Sequence, residues 1–297
     1  MLNRRSFIQW AGAAAAAAVT PAGLAETREM LPARAIPSSG ELLPVIGMGN
    51  SNAFRAGDMA LSRQVIERFQ SYGSRYIDCI GPSRFVVAEV ARDLELGDRA
   101  FLGTYFDLSD EATARDDADR ILGLAGKSSL DLVNGFTEQA IPQWDAFRRW
   151  KAEGRTRHIG VARHNQRYYE STMKLMKTGS VDVIQINYSL LEPEADQRIL
   201  PMAADLGVAV TINRPFINGR YFQVVKGKTL PDWASEFDCA SWAQFSLKFI
   251  LSHPAVTCVL TETANPKHAV DNLGAGYGRL PDAATRNKML ELVRSWA

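Results

Sequence analysis

The stretch Trp150-Lys151-Ala152-Glu153-Gly154-Arg155-Thr156-Arg157-His158-Ile159-Gly160-Val161 decides the fold. A helical pattern runs into Glu153, a glycine follows, and an apolar strand begins. Glycine supplies the positive φ that a helix C-terminus needs before the chain turns into a strand. Leu206-Gly207 repeats this punctuation before another apolar run. Outward from these two turns, short apolar runs at 44–49, 75–78, 100–104, 129–133, 158–161, 182–186, 208–212 and 256–260 read as strands. Amphipathic patterns at 61–72, 84–96, 111–124, 141–153, 168–177, 194–206 and 242–252 read as helices between them. Eight strand-then-helix units predict an α/β protein of the (β/α)8 TIM-barrel class. An open doubly wound sheet is the alternative, and it wants a glycine-rich turn after an early strand. Gly47-Met48-Gly49 is a fragment of such a turn, without the third glycine or an acidic partner. Residues 33–42, with Pro37-Ser38-Ser39-Gly40 in their middle, read as an N-terminal β-hairpin that plugs the barrel's bottom. Residues 282–296 read as a closing C-terminal helix.

The N-terminus reads as an export signal rather than part of the fold. Asn3-Arg4-Arg5-Ser6-Phe7-Ile8-Gln9 pairs two arginines with a following apolar residue, and an alanine-rich run from Ala11 to Val19 comes next. That run is too short and too alanine-rich to span a bilayer well. Gly23-Leu24-Ala25 places cleavage after Ala25. The expected organisation is a twin-arginine signal peptide at 1–25 and one domain at 26–297, periplasmic or otherwise exported by that route. The route carries proteins that have already folded in the cytoplasm. Removing residues 1–25 takes away Arg4 and Arg5 and no acid, so the formal net charge goes from +1 to −1. Such a balance gives no support for a nucleic-acid partner or a polybasic membrane surface. After cleavage nothing suggests a membrane-embedded segment. Cys79, Cys239 and Cys258 are widely spaced in apolar stretches, which favours buried free thiols over a disulfide framework. His158, His164, His253 and His268 show no metal-ligand spacing.

From about residue 33 to 280 the chain resembles the aldo/keto reductases. Leu43-Pro44-Val45-Ile46-Gly47-Met48-Gly49 is similar to that family's first strand, and 150–161 to its passage from fourth helix to fifth strand. Gln185-Ile186-Asn187-Tyr188-Ser189-Leu190 resembles the sixth strand's end, and Asn213-Arg214-Pro215-Phe216 with Gly219 the seventh strand and its cofactor loop. Pro266-Lys267-His268 and Asp271-Asn272 resemble the eighth helix. The resemblance implies NADPH or NADH bound over the C-terminal ends of the strands, and no metal. It also implies a catalytic tetrad. In it a tyrosine donates a proton to the substrate carbonyl, a lysine and an aspartate lower that tyrosine's pKa, and a histidine orients the carbonyl. Phenol titrates near pH ~10, so a neighbouring ammonium is needed to make its proton transferable near neutrality.

Three of the four tetrad positions hold other residues. Asp78 is retained, and Asp78-Cys79-Ile80-Gly81-Pro82-Ser83 puts a serine where the family keeps tyrosine. Thr104-Tyr105 replaces threonine-lysine, and Asp131-Leu132-Val133-Asn134-Gly135 leads to Phe136 in place of histidine. Tyr105 is expected beside Asp78, with Arg163 and His164 ending the next strand but one. Asp78 would raise that phenol's pKa rather than lower it, and it disfavours a thiolate at Cys79. On the cofactor side the resemblance marks Gln185 for a nicotinamide amide, with Asn187 and Tyr188 just beyond. It marks Arg214 and Gly219, with Asn218 between, for the pyrophosphate, and Asp271 and Asn272 for the adenine end. The polar pair expected after the fifth strand falls on Ala162-Arg163. Where the family often has a base for the 2′-phosphate, Thr261-Glu262-Thr263-Ala264-Asn265 carries an acid, with Lys267 a partial substitute. One reading is an exported reductase relative that has lost carbonyl reduction and binds a small molecule or a protein partner. The alternative is an active NAD(P)-dependent oxidoreductase using rearranged groups such as Tyr105 and His164.

Overall fold

The computed structural model describes residues 29–297. The expected signal peptide and its cleavage point lie outside the described residues. Two short strands come first, β1 (Ala33–Ala35) and β2 (Leu42–Pro44). They pair antiparallel with Ala33 opposite Pro44 and Ala35 opposite Leu42. Eight parallel strands then close a barrel. These are β3 (Ile46–Met48), β4 (Tyr76–Cys79), β5 (Phe101–Tyr105), β6 (Leu130–Phe136), β7 (Thr156–Ala162), β8 (Val183–Asn187), β9 (Ala209–Asn213) and β10 (Val256–Thr261). Their order around the barrel is their order in the chain, and β10 closes on β3. The (β/α)8 reading therefore holds, and the open doubly wound alternative does not.

Each strand lies within two residues of its expected start. Strand β6 runs three residues past the expected end, to Phe136. The helices are α1 (Asn52–Arg55), α2 (Met59–Gln70), α3 (Ser83–Asp93), α4 (Glu111–Ala125), α5 (Thr137–Ala140), α6 (Trp144–Ala152), α7 (Tyr169–Met176), α8 (Ile199–Asp205), α9 (Arg220–Val224), α10 (Trp242–Leu251), α11 (Pro266–Gly274) and α12 (Ala283–Arg294). Two expected helices begin late. The pattern over 141–153 opens as a tight 3-10 turn, Ile141–Gln143, with Pro142 in it, before α6. The pattern over 194–206 breaks at Arg198, which leaves helical geometry at φ −144°, so α8 starts only at Ile199. Gly154 and Gly207 adopt φ +73° and +66°, as the two deciding turns require.

The hairpin plugs the barrel's N-terminal end. Ile36 and Leu43 form one buried cluster with Tyr76, Phe101, Leu132, Val183, Ala209, Cys258 and Leu260, which come from six barrel strands. Alternate strand residues point inward, so each of these six strands contributes one or two side chains to this layer. Polar groups lock the plug. Glu41 accepts hydrogen bonds from Arg75 Nη2 at 2.7 Å, Arg157 Nη1 at 2.6 Å and His158 Nε2 at 2.9 Å. All three cysteines are buried free thiols. No helix among the described residues is long and apolar enough to cross a membrane.

Candidate functional site

Parallel closure brings the C-terminal ends of all eight strands to one mouth. A cavity of about 300 Å³ opens there. Asp78 from β4, Tyr105 from the end of β5 and Phe136 from the end of β6 line it. So do Arg163 and His164 after β7, Gln185 in β8, Asn213 and Arg214 at the end of β9, and Glu262 after β10. Residues spread over nearly two hundred positions thus face one space.

Asp78 and Tyr105 form the centre. The Tyr105 hydroxyl donates to Asp78 Oδ1 at 3.2 Å, and Gln185 Nε2 donates to Asp78 Oδ2 at 3.4 Å. Gln185 also accepts from the Thr211 hydroxyl at 3.4 Å, so its amide is engaged at both ends. Gly103 leaves room for the group, since a Cβ there would lie 3.1 Å from Asp78 Oδ1 and 2.7 Å from the Tyr76 ring. Burial pushes the Asp78 carboxyl up to about 7, against the pull of the Gln185 and Tyr105 hydrogen bonds. Burial and the Asp78 charge hold the Tyr105 phenol well above its ordinary value. Cys79 is pushed up by burial too, and its thiol donates to the Gly103 carbonyl at 3.4 Å.

Phe136 packs 5.5 Å from the Tyr105 ring, centroid to centroid. The Arg163 guanidinium lies 4.7 Å from the Phe136 ring and 4.7 Å from the Tyr168 ring, and its Nε donates to Glu138 at 2.8 Å. Arg163 is therefore held by two aromatic faces and a carboxylate rather than free in solvent. Burial lowers the His164 pKa, and Arg214, Arg163 and Arg167 lower it further, so the imidazole is neutral at pH 7.

Ser83 opens α3 and is buried, but it is not among the residues that line the cavity. Asn187 and Tyr188 also turn away. Asn187 Nδ2 donates to Glu192, and the buried Tyr188 hydroxyl donates to Asp196 beside Arg286.

From the mouth a groove runs outward through two further pockets. A pocket of about 350 Å³ shares Arg214, Asn218 and Glu262 with the mouth and adds Arg55 and Gly219. A pocket of about 460 Å³ shares Phe216, Phe222 and Glu262 with that one and adds Trp242, His268, Asp271 and Asn272. The five marked residues Gln185, Arg214, Gly219, Asp271 and Asn272 thus fall along one continuous depression. Its middle is a strained loop, with Arg214, Ile217 and Asn218 at φ +50°, +48° and +51° beside Gly219 at +88°. Side chains held there cost roughly 1–2 kcal/mol each, and such strain collects at functional sites. Arg214 Nη1 donates to the His164 carbonyl at 2.9 Å, and among the described residues no carboxylate reaches salt-bridge contact with it, although Glu262 acts on it at longer range. Asp271 accepts from the Ser241 hydroxyl at 2.9 Å and from Gln244 Nε2 at 3.0 Å. Asn272 is buried inside α11, whose N-cap is Asn265. Lys267 is exposed and lines none of these pockets.

Sequence reading missed Arg55 and Phe222 as groove residues and Asn213 as a mouth residue. Asn213 Nδ2 donates to the Arg163 carbonyl at 3.1 Å, and its buried Oδ1 has no partner among the described residues. Asn213 belongs to the seventh-strand motif, so position could have found it; Arg55 and Phe222 carry no local signal. Among the described residues, no group of three or more His, Cys, Asp or Glu could hold a metal ion.

A closed parallel barrel with its polar residues gathered at the C-terminal mouth defines a (β/α)8 protein of the enzyme-like kind. Residues 46–286 match the sequence model of the Aldo/keto reductase family, and the chain belongs to that family. Residues 1–21 match the twin-arginine translocation pathway signal sequence, which indicates export by that pathway. No curated protein sequence matches the chain. Solved structures do. An aldo/keto reductase from Brucella melitensis is 19% identical with a TM-score of 0.69, covering 89% of this chain and 100% of that one. An aldo-keto reductase from Klebsiella pneumoniae in complex with NADPH is 18% identical with a TM-score of 0.68, covering 89% and 95%. The holo form of an aldo-keto reductase from Bacillus halodurans is 17% identical with a TM-score of 0.67, covering 89% and 96%. At these identities the likeness is one of fold.

Proposed function

We propose that the protein is a periplasmic, dinucleotide-binding member of its family that has given up carbonyl reduction. One observation carries this reading: the Tyr105 phenol sits against Asp78 in a cavity whose lining holds no lysine. Carbonyl reduction in the family needs a phenol made acidic by a neighbouring ammonium. Here burial and Asp78 drive the phenol the other way. Phe136 offers no hydrogen bond to orient a carbonyl, and Ser83 stands outside the cavity. A serine hydroxyl is in any case far too weak an acid for the task.

The groove fits a dinucleotide better than the mouth fits a reaction. Among the described residues no carboxylate lies in salt-bridge contact with Arg214, Glu262 acting on it only at longer range, and Arg suits phosphate oxygens through its planar fork of donors. The orphaned Asn213 Oδ1 asks for a donor, which a carboxamide would bring. Gln185 is less available, since Asp78 and Thr211 already engage it. The Klebsiella pneumoniae reductase is described in complex with NADPH, which supports a dinucleotide as the ligand. A bound nicotinamide supplies hydride; the proton would have to come from this chain.

The test is an assay of residues 26–297 with NADPH and NADH against a panel of aldehydes and ketones. The unmodified protein should show no turnover with either cofactor. Turnover by the unmodified protein would overturn the reading. A second reading then stands on a specific geometry, because Tyr105 and His164 line the same cavity and could form a rearranged acid. Under that reading Tyr105→Phe abolishes the turnover.

A further inference from the structure

Charge is distributed unevenly along the groove. The middle pocket carries two arginines, Arg55 and Arg214, with Glu262. The outer pocket, between α10 and α11, is lined by Glu262 and Asp271 and by no lysine or arginine. Its one basic side chain is His268. Lys267, the nearest base in sequence, is exposed and does not line the pocket. The rest of the lining is aromatic or neutral, with Phe216, Phe222 and Trp242 prominent.

At about 460 Å³ this pocket has the size of a small-molecule site. Rings and uncharged amides suit a flat, neutral heterocycle. The same pocket is hostile to a second anion. A phosphate monoester carries roughly −1.5 to −2 charges at neutral pH. Asp271 would face it with no lysine or arginine in the pocket lining to offset it, and Glu262 with only Arg55 and Arg214 of the adjoining pocket on its far side. Asp271 cannot swing away freely, since Ser241 and Gln244 hold it. Glu262 is paired only loosely, 3.6 Å from Arg55. A Cβ at position 49 would lie 2.6 Å from Glu262 Cγ, so Gly49 leaves the space the glutamate occupies.

We propose that the groove takes a dinucleotide with no phosphate on its adenosine ribose, NADH rather than NADPH, because its outer pocket presents Glu262 and Asp271 without a lysine or arginine. The inference rests on the dinucleotide reading above and names the cofactor within it. The backbone diphosphate goes to the arginine-bearing middle pocket, and the neutral adenosine goes to the acidic one.

The experiment is a binding titration, independent of turnover. Residues 26–297 are titrated with NADH and NADPH, following the fluorescence of the tryptophans, of which Trp242 lines the pocket. NADH should bind at least tenfold more tightly than NADPH. The gap should narrow as salt is raised from 0.02 to 0.5 M, since screening weakens repulsion between exposed charges, with a Debye length of about 10 Å at 0.1 M. Glu262→Gln should shrink the ratio several-fold, and Glu262→Lys should bring it to unity or reverse it. Glu262 is two-fifths exposed, so neither change removes core, and melting curves would register any loss of fold. Equal or tighter binding of NADPH, or a ratio unmoved by both variants, overturns the inference and leaves the dinucleotide reading standing. No binding of either up to millimolar overturns both.

Discussion

The two ends of this barrel treat charge in opposite ways. At the N-terminal end the carboxylates sit among cations: Glu41 with Arg75, Arg157 and His158, and Asp131 with Arg157 and Lys127. One nitrogen there, His158 Nδ1, is left without a partner among the described residues. At the C-terminal mouth, among the described residues, Asp78 has only neutral donors, Tyr105 and Gln185, and the buried Asn213 Oδ1 and Thr261 Oγ1 have no partners. Four residues of the loop after β9 adopt left-handed backbone. Pairing lowers Glu41 to about 2, while burial raises Asp78 to about 7. One end is built to hold the fold closed. The other keeps unsatisfied polar groups at a cost, which is the usual mark of a surface awaiting a ligand.

The largest expected effect comes from the unpaired carboxylate. Asp78 has a folded pKa above its unfolded value, so its contribution to stability is fully present below about pH 4 and is lost as pH rises through 7. That rise in pKa corresponds to roughly 4 kcal/mol between those limits. Urea unfolding at pH 5 and pH 8 should show the decline in the parent protein. Asp78→Asn should flatten it and be the more stable of the two at pH 8. A parent whose stability is the same at both pH values would sink this account of the mouth.

The other end should respond in the opposite sense. Glu41 has a depressed pKa, so its contribution is present above pH 4.5 and lost as pH falls toward 2. Glu41→Ala leaves Arg157 and the buried His158 without their acceptor and loosens the hairpin plug. A loss of about 2 kcal/mol at pH 7 is expected, below the full cost of breaking a buried pair because Glu41 is partly solvated. The difference between parent and variant should fade on acidification. If it grows instead as pH falls, the plug is held by packing and not by this cluster. Together the two ends place the stability maximum on the acid side of neutrality, above the range where Glu41 protonates and below the range where Asp78 ionises.

Sequence showed these two ends unequally. The eight strands were readable because each is a short apolar run bounded by a helix stop, and Gly154 and Gly207 mark two of those stops. The mouth was half readable. Asp78, Tyr105 and Phe136 sit at strand ends, where register fixes position, so their neighbourhood followed from the fold. Ser83 follows a loop and opens a helix, and no register carries it to the cavity. Glu262 was visible only as an acid in place of a base. Its contact with three pockets depends on Arg55 and Phe222, which lie far from it in sequence. The Glu41 cluster was invisible for the same reason, since His158 joins it across 117 positions. Patterns of period two and 3.6 report local structure, and these groupings are made by closure of the barrel.

The smallest expected effect tests whether Tyr105 belongs to the mouth's chemistry or only to its packing. Tyr105→Phe keeps the ring against Phe136 and removes the hydroxyl that donates to Asp78 at 3.2 Å. Loss of one buried hydrogen bond costs about 1 kcal/mol at pH 8, where Asp78 is ionised and needs the donor. Below pH 6 the carboxyl is mostly protonated and the cost should be smaller. The hydroxyl favours the charged form of Asp78, so removing it raises that pKa further, and the stability decline should move to higher pH. Unfolding curves taken every half unit from pH 5 to 9 resolve both effects. A uniform loss at every pH would mean that the phenol merely fills space, leaving Asp78 to be set by burial and Gln185 alone. A loss confined to high pH makes Tyr105 and Asp78 one titrating unit, placed where the groove meets the barrel.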